Sequence, residues 1–126
     1  MLDTSPLTAA VERFADRLRA APQSRLRRGA AAEGLELARE LAALAQRLED
    51  PHGAAPARRM PDAGVFVVGD QVAVAGRDLA EALRGLADAG ADAQHADDAH
   101  DAATAPSEVL DEAVRLVERA EVRAMR

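Results

Sequence analysis

Arg25, Arg27 and Arg28 place three guanidinium groups within four residues, at the start of what reads as a long helix. Free N–H groups at a helix N-terminus, joined by guanidinium forks, suit a phosphate or a carboxylate. The order of charge along this helix is unusual, because its other end is Glu49-Asp50. Both ends then oppose the helix dipole, at an unfavourable few tenths to about 1 kcal/mol per charge. Three arrangements fit. The arginines can extend into water at little cost. A second copy of the helix can run antiparallel, so that basic and acidic ends meet. Or an anion can sit among Arg25, Arg27 and Arg28, with Arg58 and Arg59 contributed by a later loop.

A second cluster is His95-Ala-Asp-Asp-Ala-His-Asp101, with two imidazoles and three carboxylates in seven residues. These are ligand types for zinc or nickel, and on a helical turn His95, Asp98, His100 and Asp101 form the candidate set. No apolar stripe runs through the segment to hold ligands in place, so a solvated acidic loop is the plainer reading. His52, beside Pro51 and Gly53, adds nothing to either cluster.

Other chemistry is argued against. The absence of cysteine excludes thiol catalysis, disulfides and cysteine-based zinc sites. There is no Walker or dinucleotide-binding glycine loop, no Gly-x-Ser-x-Gly elbow and no His-Glu-x-x-His helix. Paired acids such as Asp97-Asp98 and Asp111-Glu112 lack the apolar surroundings that would raise a carboxyl pKa for acid catalysis. No catalytic residue and no cofactor is assigned.

A net charge of −6 argues against a general nucleic-acid binder, whose footprint is a basic surface. No basic stretch precedes an apolar one near Met1 and no apolar run approaches membrane-spanning length, so a cytoplasmic location is expected. All sixteen basic side chains are Arg, and Lys, Asn, Ile, Tyr and Trp are absent. Residues with AT-rich codons are thus missing, which points to a GC-rich bacterial coding sequence and weakens any chemical reading of Arg over Lys.

The elements that must position these groups are mainly helical. Pro6, with Ser5 as cap, starts a helix over about 6–21, whose apolar positions are Leu7, Val11, Phe14, Leu18 and Ala21. Ser24 caps a second helix that runs to Asp50. Its Ala30, Gly34, Leu37, Leu41, Leu44 and Leu48 form a narrow heptad-type seam. Gly29 and Gly34 weaken that helix by about 1 kcal/mol each, and close approach of another backbone is the expected return. Residues 51–63 hold three prolines and read as a surface loop. Asp78 and Glu81 have capping-box spacing for a third helix ending near Gly90, and 91–105 is a second loop. A fourth helix starts at Thr104 or Ser107, with acids first and Arg119 and Arg123 last, as its dipole favours.

Between the second and third helices lies Gly64-Val-Phe-Val-Val-Gly-Asp-Gln-Val-Ala-Val-Ala-Gly76. Its β-branched density and the Gly69-Asp70 pair predict a β-hairpin over about 65–75. Gly69-Asp-Gln-Val72, followed by Gly76, resembles part of the Gly-Asp-x-Val turn of lipoyl- and biotin-carrier domains. Such a carrier attaches its cofactor to a lysine, which this sequence lacks. Both faces of the hairpin would be apolar, so it calls for cover by helices or by its own copy. The expectation is one mainly α domain over 1–126, a four-helix bundle with the hairpin packed on it. It would dimerise through Val65, Val67, Val72 and Val74 or through Leu37, Leu41 and Leu44. Function is expected to be a non-catalytic interaction or regulatory module with an unidentified protein partner, the rival being an anion-binding protein or enzyme built on Arg25–Arg28.

Overall fold

Pro6 sits in the first turn of α1 (Ser5–Ala20), where a missing N–H is harmless. Ser5 does not cap it. Asp3 Oδ1 instead accepts the Ser5 N–H at 2.9 Å, and hydrogen bonding from Ser5 holds the Asp3 carboxyl below the usual aspartate range. The computed structural model of the chain describes residues 2–92 and 105–126. The second predicted loop therefore lies largely outside the described residues.

Pro22 separates α1 from a second helical stretch, which keeps almost the predicted extent but is not continuous. It comprises a short α2 (Gln23–Arg25), a wide turn at Leu26–Ala30 and α3 (Ala31–Glu49). The break is at Gly29, with φ 150° and ψ −18°. Only glycine adopts this conformation without strain. Nothing lies within 4 Å of where its Cβ would be, so Gly29 is there for its backbone and not for close packing. Gly34 is the packing glycine, since a Cβ there would come within 3.0 Å of Leu18 and 3.1 Å of Val68. The expected backbone contact is thus a pair of side chains.

Along α3 the predicted seam holds for Ala30, Gly34, Leu37 and Leu41. It then shifts, with Ala38 and Ala45 buried while Leu44 and Leu48 are half-buried. A straight helix drifts from a strict seven-residue repeat, and only a supercoil would correct it.

The loop from Asp50 to Val67 is an exposed strap pinned by side chains. Gln46 donates to the Pro56 carbonyl and accepts from the Arg58 N–H. Arg39 donates to the Met60 carbonyl and Gln71 to the Pro61 carbonyl. Asp50 starts the strap by accepting the N–H groups of Ala55 at 2.8 Å and Ala54 at 3.0 Å, which hold its carboxyl below the usual aspartate range. A carboxyl depressed by folding contributes stability above its unfolded value, near pH 4, and loses it as pH falls through the lower folded value. At neutral pH, Asp50→Ala should accelerate hydrogen exchange at Ala54 and Ala55. An Asp50 carboxyl titrating at the ordinary aspartate value by NMR would contradict this assignment.

The predicted hairpin does not form. Residues 68–76 belong to α4 (Val68–Asp92), and among the described residues there is no strand. Val68, Val72, Ala75, Leu79 and Leu83 are all buried, at helical spacing. Val72 and Val74 would share a hairpin face, yet Val72 is fully buried and Val74 is 47% exposed. Gly69 and Gly76 are seven residues apart because each lets α1 approach, not because one of them turns a strand. A Cβ on Gly69 would come within 3.0 Å of the Ala15 carbonyl oxygen and one on Gly76 within 2.6 Å of Val11 Cγ1. Packing on a neighbouring helix outweighs β-propensity, which is mainly a statement about surroundings. The true start of this helix is a turn at Gly64, φ 101°, whose N–H is bonded to Asp62 Oδ1 at 3.0 Å. Asp78 and Glu81 then lie mid-helix and do not cap.

α5 (Pro106–Ala124) completes a ring in which α4 and α5 each pack on both α1 and α3. The Val11–Gly76 and Ala15–Gly69 approaches run in opposite chain directions, so α1 and α4 are antiparallel. Thr4, immediately before α1, is tied to the later part of α4, since its Oγ1 accepts from Arg84 Nη1 at 2.7 Å. Phe14 and seven leucines and valines, Leu7, Leu18, Leu41, Leu79, Leu83, Val72 and Val117, are the largest fully buried side chains and fill the centre. No described helix is long and apolar enough to cross a membrane.

Candidate functional site

The kink at Gly29 divides the three candidate arginines. Arg25 and Arg28 turn toward the end of α5, while Arg27 turns back on its own turn against the Gln23 amide, whose oxygen, once exchanged with its nitrogen, accepts from Nη2 at 2.6 Å and Nε at 3.0 Å. Arg25 Nη1 donates to the Met125 carbonyl at 3.1 Å. That contact accounts for part of the odd charge order. A cation ill-placed at the head of its own helix is well placed at the carboxyl end of another. Arg58 is on the strap beside Gln46 and Asp50, on a different cavity, and does not join Arg25. Arg59 is exposed on the same strap.

Arg25, Arg28, Arg123 and Arg126 line one open cavity of about 280 Å³ with Gly29, Ala30 and Ala124. Glu33 is its one acidic side chain, accepting from Arg123 Nε at 2.9 Å. Arg123 had a sequence-level account as a cation at a helix end, and nothing in the sequence joined it to Arg28. The link is tertiary.

A second feature lies on the other side of the kink. Leu26, Arg27, Leu35, Arg39, Asp62 and Val65 border a groove of about 400 Å³, floored in part by Val68. Phe66, next along the chain from Val65, is 71% exposed, and Val67 and Val74 are exposed at 37% and 47%. The Val67 carbonyl accepts the Gln71 N–H at 3.0 Å, so helical geometry already holds at Val67 and places it one face with Val74.

The residues expected to self-associate are therefore split. Leu37, Leu41 and Val72 are at most 2% exposed and are spent on the chain's own core. Val65 and Leu44 are half-buried, and Val67 and Val74 are exposed. A leucine-seam dimer of the second helix and a strand-edge dimer are both incompatible with this placement. His95, Asp98, His100 and Asp101 lie outside the described residues.

Among the described residues one carboxylate is buried. Glu121 on α5 is 7% exposed, with Arg13 Nε and Arg17 Nη1 of α1 each 3.3 Å from its oxygens. This is a clasp between two helices, with both arginines half-exposed. Arg19 is also shifted, its guanidinium raised by Asp70 Oδ1, which accepts from its Nη2 at 2.6 Å across the α1–α4 contact. Asp3, Asp50 and Arg19 owe their shifts to local hydrogen bonds that hold turns and helices.

Neither protein-family models nor curated proteins nor solved structures show a match to this chain.

Proposed function

We propose that the chain is a non-catalytic interaction module that self-associates through the head of α4. The observation that supports this is Phe66. It is one of only two aromatic residues in the sequence, and while Phe14 is fully buried, Phe66 is 71% exposed. Scattered exposed apolar residues are ordinary, but Phe66 and Val67 directly follow Val65, which walls a groove with Leu26 and Leu35, and Val74 shares a helix face with Val67.

A second copy is the occupant that fits. Knob and groove are contiguous on one surface, so a two-fold axis would place each Phe66 in the partner's groove, with the same contact made twice. The groove rim carries both signs, Arg27 and Arg39 with Glu36 and Asp62, which lets one surface complement itself.

Sedimentation equilibrium tests this. The wild-type chain should show a concentration-dependent dimer that Phe66→Ser weakens strongly, because exposed aromatics in contact centres carry most of the association energy. At concentrations where the wild type is monomeric, the same substitution should change unfolding stability by less than about 0.5 kcal/mol, as for other exposed positions. A wild-type chain that stays monomeric at high micromolar concentration would end the proposal.

A further inference from the structure

We propose that the cavity between the Gly29 kink and the end of α5 binds a phosphate dianion, free or as a monoester. It is a different surface from the Phe66 groove and does not depend on it.

The argument begins with local charge. In a chain of net charge −6, four of the sixteen arginines converge on one cavity, where Glu33 and the last carbonyls of α5 are the negative groups that face them. Arg25 is engaged by the Met125 carbonyl and Arg123 by Glu33. The guanidinium groups of Arg28 and Arg126 make no hydrogen bond or ion pair among the described residues, in contrast to those of Arg25 and Arg123. Four cations facing one carboxylate leave a local excess of positive charge, and a guanidinium has five N–H donors, so Arg25 and Arg123 retain donors beyond those already used. Planar forks of this kind match the oxygens of phosphate in pairs.

The lining also limits the ligand. Apart from the charged residues it consists of Gly29, Ala30 and Ala124, with no aromatic ring to stack on a base and no apolar depth to hold a chain. Recognition would therefore rest on the phosphate group itself, and a nucleobase or acyl tail would find nothing to bind. The positive φ of Gly29 bends the chain so that Arg28 and Glu33, five residues apart on either side of the bend, face one space.

Isothermal titration of the full chain at constant ionic strength tests the site, with inorganic phosphate and glycerol 3-phosphate as separate probes. Saturable binding of at least one probe is expected, with a matching rise in melting temperature, since a ligand stabilises the state that binds it. Tighter binding of the monoester would assign the site to ester-borne phosphate, and tighter binding of inorganic phosphate to the free ion. Arg28→Ala should weaken binding about tenfold or more, the usual loss for a charge-assisted hydrogen bond. Glu33→Gln should tighten it about threefold, by removing one partly screened negative charge. Arg115→Ala, far along α5 from the cavity, should leave it unchanged. Absence of saturable binding by either probe, or equal binding by wild type and Arg28→Ala, would overturn the site. Phe66→Ser should bind phosphate as wild type does, so a failure here is separable from failure of the self-association reading.

Discussion

Gly76→Ala should destabilise the protein by about 1–3 kcal/mol, the range for forcing extra atoms into a packed contact, although alanine is the better helix former by about 1 kcal/mol. The reason is Val11. A Cβ at position 76 would lie 2.6 and 2.7 Å from its two methyl carbons and 3.0 Å from its Cβ. A branched residue on a rigid helix cannot swing those atoms away. The helices must separate instead. Two comparisons make the prediction sharp. Gly85→Ala, on the same helix with nothing within 4 Å of the new Cβ, should stabilise the chain by up to about 1 kcal/mol. Val11→Ala combined with Gly76→Ala should cost less than the two single changes summed, a coupling of about 1 kcal/mol or more, because the two closest atoms are gone and only the 3.0 Å approach to the Cβ at position 11 is left. Urea unfolding of the four variants measures all of this. A neutral or stabilising Gly76→Ala in the wild-type background would mean that α1 and α4 do not meet there.

Phe14→Ala is expected to have the largest effect of any single truncation, about 3–5 kcal/mol, combining lost transfer energy with a cavity its neighbours only partly fill. Phe14 is fully buried on the face of α1 that packs against α4 and α5. The rest of the core is leucine, valine and alanine, so no other side chain fills as much of it. Domains of this kind have a total stability of about 5–15 kcal/mol, and the variant could retain only a fraction of it. A fall in urea midpoint at unchanged slope would report lost stability alone. A loss under about 1 kcal/mol would show that the ring is not at the centre of the bundle. Phe66→Ser provides the contrast, since the same residue type in the open should barely affect unfolding.

Periodicity made α1 and α5 readable from their residues, because Leu7, Val11, Phe14 and Leu18, and Val109, Ala113, Val117 and Ala120, fall on one face and are all buried. The first turns of α4 were hidden by local chemistry. Five valines and a Gly-Asp pair in ten residues have the marks of paired strands, and the helical series Val68, Val72, Ala75, Leu79, Leu83 is visible only when the window extends past Gly76. The glycines misled for a related reason: a turn and a close helix approach both need a missing Cβ. For the cavity, Arg25 and Arg28 stood out as a run, whereas Arg123 and Arg126 had no reason to be grouped with them.

The order of residues alone determined that this chain would be mostly helical, where its prolines would break it, and which stripes of α1 and α5 would turn inward. Local periodicity and backbone limits act over a few residues and need no partner. Tertiary structure decided that residues 68–76 coil rather than pair, since α1 fits against Gly69 and Gly76 only if they lie on a helix. It also decided which arginines meet. That depends on the end of α5 lying beside the Gly29 bend, a contact between positions 100 residues apart for Arg25 and Met125, to which no short-range pattern is sensitive.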